Sequence, residues 1–165
     1  MKRSILVLAA LLIAVLGLGA CANQPAAEAP VPAEIDTGPA IEYLQSPGAE
    51  NMNLPFSAAV RVGDLLFLSG AIGIDPATGQ LPPGGIQPET RQTLENIRAN
   101  VERFGSSMDR VVKCTVFLAD MGEWGAMNEV YRSFFPNPPA RSAFGASGLA
   151  LDARVEIECI AVRKP

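Results

Sequence analysis

From residue 58 onward the apolar positions keep two rhythms, one of period two and one of helical spacing. Residues 58–62 and 65–69 are apolar runs split by Gly63-Asp64, the two-residue gap of a hairpin. Asp75-Pro76-Ala77-Thr78-Gly79 marks a further turn. Then Leu94, Ile97, Val101 and Phe104 recur at helical spacing, with Pro88 near the start of the segment and Gly105 as its stop. Residues 111–118, Val-Val-Lys-Cys-Thr-Val-Phe-Leu, read as a strand rich in β-branched side chains. Asp120 is placed to cap a second helix, and Glu123 to complete a capping box. That helix has the stripe Trp124, Met127, Tyr131 and Phe134, read as core, and Pro136 follows its end. Residues 141–146 and 154–162 finish as strands. The order β-β-(β)-α-β-α-β-β predicts an α+β sandwich: a mixed six-stranded sheet with two helices on one face. Its other face is apolar and uncovered in a single copy, which argues for self-association.

The first fifty residues follow neither rhythm. Met1-Lys2-Arg3 is a basic start, residues 5–16 are almost unbroken apolar, and small residues close the run before Cys21. Residues 1–20 therefore read as a secretory signal, too short in the apolar part for a membrane span. Leu18-Gly19-Ala20-Cys21 resembles the lipobox of bacterial lipoproteins, in which the Cys is lipidated and becomes the first residue. By the same resemblance, Ala22 in place of an inner-membrane retention Asp implies an outer-membrane anchor facing the periplasm. Residues 21–50, rich in Pro, Ala and Glu, read as a lipidated Cys and an extended linker. Residues 51–165 are left as one domain of ordinary size.

Charge and composition narrow the chemistry. The chain has 13 basic and 17 acidic residues; loss of Lys2 and Arg3 with the signal leaves 11 against 17, a net of −6. Nucleic-acid phosphates demand the opposite balance. The sequence has no His, which removes a His-ligated metal, a Ser–His triad and a His acid or base. Cys114 and Cys159 fall in separate strands and read as two buried core thiols, since a bridge requires adjacent positions on one face. In the C-terminal third, Pro139-Ala140-Arg141-Ser142 offers a guanidinium, and an alternating strand follows with Glu156 and Glu158 on one face. Arg141 suits a small carboxylate, because its planar fork matches two oxygens, and Glu156 could orient water. A structural ion pair between them is the competing reading.

The motifs Pro55-Phe56-Ser57-Ala58-Ala59-Val60, Leu68-Ser69-Gly70, Ile74-Asp75-Pro76-Ala77-Thr78-Gly79, Gln92-Thr93-Leu94-Glu95-Asn96-Ile97, Met127-Asn128-Glu129-Val130-Tyr131, Pro139-Ala140-Arg141-Ser142 and Val155-Glu156-Ile157-Glu158 run in order over nearly the whole domain. Together they resemble the RidA/YjgF family of reactive-intermediate imine deaminases. The resemblance implies a chorismate-mutase-like fold, a homotrimer with ligand sites between subunits, and hydrolysis of 2-imino or enamine acids without cofactor or metal. It implies that Arg141 binds the substrate carboxylate and that Gly70, after Ser69, offers a backbone N–H close to it. It implies that Glu156 activates water and Asn128 lines the cleft.

Two positions depart from the family pattern: Phe56 stands where Tyr is common, and Ala143 where Cys is common. Both alter the substrate pocket, and Phe56 lacks a hydroxyl. The alternative to a deaminase is therefore a lipid-tethered, non-catalytic module that binds small carboxylates or a protein on the same scaffold.

Overall fold

The computed structural model describes residues 38–47 and 53–164; the signal at 1–20, Cys21 and most of the 21–50 linker lie outside the described residues. The chain order is β1 (Ile41–Leu44), β2 (Ala59–Val62), β3 (Leu65–Leu68), β4 (Ala71–Ile72), α1 (Ile86–Arg103), β5 (Val111–Leu118), α2 (Trp124–Phe134), β6 (Ala140–Gly145) and β7 (Val155–Val162). The strands form one mixed sheet in the order β1-β2-β3-β7-β5-β6, with β4 also paired to β7. Only β5 and β6 run parallel, as the helical crossover through α2 between them requires. The sheet thus has seven strands, not the six expected from the sequence. The addition is β1, within the stretch read as linker. Its four residues pair antiparallel with β2, and Glu42 forms an ion pair of 2.8 Å with Arg61. A four-residue strand among prolines carries too little periodicity to be seen in sequence.

Alternation sorts the side chains cleanly. On β7, Val155, Ile157, Cys159 and Ala161 are buried beneath the helices, while Glu156, Glu158, Ile160 and Val162 face the other way. Leu66 and Leu68 of β3 and Cys114, Val116 and Leu118 of β5 complete the sheet's contribution to the core. Leu94, Ile97 and Val101 of α1 and Met127, Tyr131 and Phe134 of α2 cover it. Each large apolar side chain taken fully from water contributes about 1.5–3 kcal/mol. The opposite sheet face leaves Ile41, Tyr43, Leu65, Phe67 and Phe144 exposed, Tyr43 by 74%. The helices cover one face only, as the apolar pattern predicts.

The ends of the helices follow their local chemistry. Gly105 adopts φ +83°, Ser106 N–H donates to Val101 O at 2.7 Å and Gly105 N–H to Glu102 O at 3.2 Å, the paired bonds of a Schellman stop. Asp120 accepts from Gly122 N–H at 2.7 Å, but it caps a short 3₁₀ turn (Met121–Glu123) that leads into α2. Glu123 does not close the expected capping box; its carboxylate pairs with Arg154. Trp124 also departs from its expected core role, with 45% of its surface exposed.

The reading of Cys114 and Cys159 as separate thiols is corrected: they form a disulfide. The antiparallel register sets Cys114 of β5 directly opposite Cys159 of β7, with 4.1 Å between their Cα atoms, an adjacency that no sequence pattern states. Among the described residues no helix is long and apolar enough to cross a membrane.

Candidate functional site

Arg141 lies on β6 beside Cys114 of β5, so its side chain leaves the sheet on the helix side. There it meets α2. Trp124, Asn128 and Tyr131, spaced one turn apart, form with Arg141 and Pro139 the walls of a cavity of about 640 Å³. The Arg141 guanidinium stacks over the Tyr131 ring at 4.6 Å from its centroid, a cation–π contact. It makes no ion pair with any described residue, so the competing pairing with Glu156 or Glu158 is absent. The buried Tyr131 hydroxyl has no hydrogen-bond partner among the described residues. Burial raises its pKa to about 12, against an opposing pull from Arg141, so at neutral pH it remains a donor. Asn128 is buried on the same wall, and Ala143 follows Arg141 on the same face, packed on the core.

Glu156 occupies a different place. It pairs with Phe117 of β5, three residues beyond Cys114, so it projects from the opposite sheet face to Arg141. Its other neighbour is the junction of β3 and β4. Phe67 pairs with Ile160 and Ala71 with Ile157, so four steps on one strand match three on the other. The extra residue is a bulge at Ser69-Gly70. A Cβ on Gly70 would lie 2.0 Å from Glu156 Oε1, so the carboxylate rests directly over the glycine. Glycine is needed here because Glu156 occupies the space a side chain would take. Ser69 and Gly70 line a second cavity of about 500 Å³ together with Phe56, which is 53% exposed. The Ser69 hydroxyl is engaged, donating to Ser57 O at 2.7 Å.

One chain therefore brings Arg141 and Asn128 together, and separately Gly70, Ser69, Phe56 and Glu156. Sequence reasoning missed several supports. Glu89, a buried carboxylate on α1, accepts the backbone N–H of Arg154 at 2.6 Å and of Val155 at 3.3 Å, which fixes the strand next to Glu156. The Asn96 amide donates to Ile72 O and Ile74 O at 3.0 and 2.8 Å, holding β4 against α1. Gln45 brackets the Phe56 loop, donating to Phe56 O and accepting from Ala58 N–H, each at 3.3 Å. A buried Glu in a helical stripe is a sequence signal for the first; nothing marks Gln45, which lies in the stretch read as linker. Tyr131 was visible as an aromatic, but its partner across the fold was not.

Comparison with known proteins agrees with this scaffold. Residues 47–163 match the family described as Endoribonuclease L-PSP. A mouse protein named 2-iminobutanoate/2-iminopropanoate deaminase is 44% identical over 112 residues, which cover 67% of this chain and 83% of the relative. The crystal structure of E. coli TdcF with bound serine superposes with a TM-score of 0.64 at 35% identity, covering 74% of this chain and 94% of that one. That of the E. coli YjgF gene product gives a TM-score of 0.64 at 33% identity, with the same coverage. The fold, the breadth of the match and these identities together show that the chain belongs to the L-PSP family, the RidA/YjgF proteins.

Proposed function

We propose that the chain hydrolyses 2-imino or enamine acids to 2-keto acids and ammonia, at a site built from two copies of itself. The observation that carries this is the Arg141 guanidinium, presented on Tyr131 without a counter-ion among the described residues. A planar fork with open donors beside an apolar cavity suits a carboxylate. Arg141 and Glu156 leave opposite faces of one sheet, so a ligand touching both takes each from a different copy. The exposed apolar sheet face supplies a surface for that association, in the trimer the family resemblance implies.

In this mechanism Arg141 and Asn128 of one copy hold the substrate carboxylate. Glu156 of the neighbouring copy takes a proton from water as the C2–O bond forms. That proton passes to the imine nitrogen to give a carbinolamine; its hydroxyl proton then moves to the same nitrogen by way of the carboxylate, the C2–N bond breaks as the C=O forms, and ammonia leaves with the 2-keto acid. Phe56 supplies no hydroxyl to this step, and it lines the cavity beside Gly70. The names of the deaminase relatives support the reaction class. RNA cleavage, which the family description names, has less support from a chain with no His and more acidic than basic residues. Exported, lipid-anchored placement through Cys21 belongs to the same proposal and rests on the sequence alone.

The test is complementation. Arg141→Ala and Glu156→Ala are each made in the full chain and assayed on 2-iminopropanoate and 2-iminobutanoate generated by an amino-acid oxidase. Each alone loses roughly 10²–10⁴-fold in rate if it removes a positioning group or a base. Mixed by co-refolding, random assembly returns about a quarter of the sites to full function, because an interface site can draw Arg141 and Glu156 from different parents. Recovery of nothing from a folded mixed oligomer rules out the shared site. Binding of 2-keto acids by a wild-type chain that turns over neither imine points to the carboxylate-binding module instead.

A further inference from the structure

The Arg141 cavity has room for more than a three- or four-carbon imino acid. Its volume of about 640 Å³ falls in the range that accommodates drug-sized ligands. Its polar lining residues are Arg141, Arg132, Asn128 and Tyr131. The other lining residues are Trp124, Phe135, Pro136, Pro138 and Pro139, all apolar. Trp124 stands at the first position of α2, one turn before Asn128, half-exposed and without a packing role in the core. The exposed face of Trp124 offers a ligand in this cavity an aromatic surface to stack on.

Resting on the deaminase reading, we infer that the preferred substrates carry an aromatic side chain, with Trp124 as the residue that selects it. The carboxylate sits on Arg141 and the ring of the substrate stacks against Trp124. Preference arises because burial of an aryl group and of the Trp124 face occurs together, a contact that an alanine-derived imine does not make.

Trp124 is the single tryptophan of the chain, so its emission reports the contact directly. The full chain is titrated with 3-phenylpropanoate and with propanoate, which share the carboxylate and differ in the ring. The aryl acid is expected to bind about tenfold to a hundredfold more tightly and to shift Trp124 emission. By calorimetry, Trp124→Ala brings the two affinities together, while Trp124→Phe keeps most of the preference and controls for folding. Rates on imines generated from phenylalanine and from alanine are measured alongside. Equal affinities in the wild type, or a preference that survives Trp124→Ala, overturns the inference. An aryl preference in binding with neither imine hydrolysed leaves Trp124 as the selector and removes the deaminase reading. Hydrolysis of both imines at equal kcat/KM with no aryl preference does the reverse.

Discussion

Gly70→Ala isolates the Glu156 carboxylate with one methyl group. The new Cβ would fall 2.0 Å from Glu156 Oε1 and 2.9 Å from its Cδ, and real Cβ contacts do not come closer than 3.0 Å. The carboxylate must therefore retreat by 1.0 Å or more. The backbone can accept alanine, since the φ of Gly70 is not in the left-handed region. The entropy of the unfolded chain falls by an amount equivalent to about 0.4–1 kcal/mol in favour of folding. Against this stands the strain of an off-rotamer Glu, about 0.5–1.5 kcal/mol. The two nearly cancel, so Tm shifts by no more than about 5 °C. Catalysis is far less tolerant, because a 1 Å misplacement of a reacting group costs about 10²-fold. The expected outcome is kcat for imine hydrolysis reduced about 10²-fold with near-normal melting and intact carboxylate binding. Wild-type kcat in a folded Gly70→Ala protein would refute the placement of Glu156 as the base.

Two other predictions read the core directly. Loop-closure entropy for the 45-residue span between Cys114 and Cys159 corresponds to about 4 kcal/mol, so Cys114→Ala/Cys159→Ala lowers the urea midpoint markedly, and reductant lowers that of the wild type but not of the variant. Tyr131, with its folded pKa raised from 10.0 to about 12, favours the native state fully below pH 10 and loses that contribution as pH rises toward 12. On the order of 2–3 kcal/mol is at stake; melting curves at pH 9 and 11.5 should fall more steeply for the wild type than for Tyr131→Phe, and equal slopes count against the burial of that hydroxyl.

Local patterns were legible wherever an element was long and one-sided. Both helices, the β2–β3 hairpin and strands β5 and β7 follow from the spacing of Leu94, Ile97 and Val101 or of Val155, Ile157 and Cys159. The stop at Gly105 was legible too, because the chemistry of a positive φ is local. Long-range facts were not. The sequence puts Glu156 and Arg141 fifteen residues apart, yet nothing in it says that a register through β5 sends them to opposite faces. The same register makes a disulfide of two cysteines that looked like ordinary core. Trp124 fits the apolar stripe of α2 by spacing, but at the first helical position it stays 45% exposed.

The bulge at Ser69-Gly70 has a meaning for anyone who would redesign this chain. In an unbroken strand, residues four apart share a face, and Ala71 would join Phe67 on the open side. The added residue inverts the phase, so Ala71 pairs with Ile157 and turns toward the helices. The two halves of this edge are thus written in opposite hydrophobic parity. Deleting either residue of the pair would let the strand run on regularly, with Ala71 still opposite Ile157, but it would remove the bulged backbone over which the Glu156 carboxylate lies. An insertion in the Asp75–Gly79 turn, by contrast, changes only the length of an exposed connection. Grafting or trimming loops on this scaffold should keep the residue count between β3 and β4 fixed and take its freedom beyond Ile74.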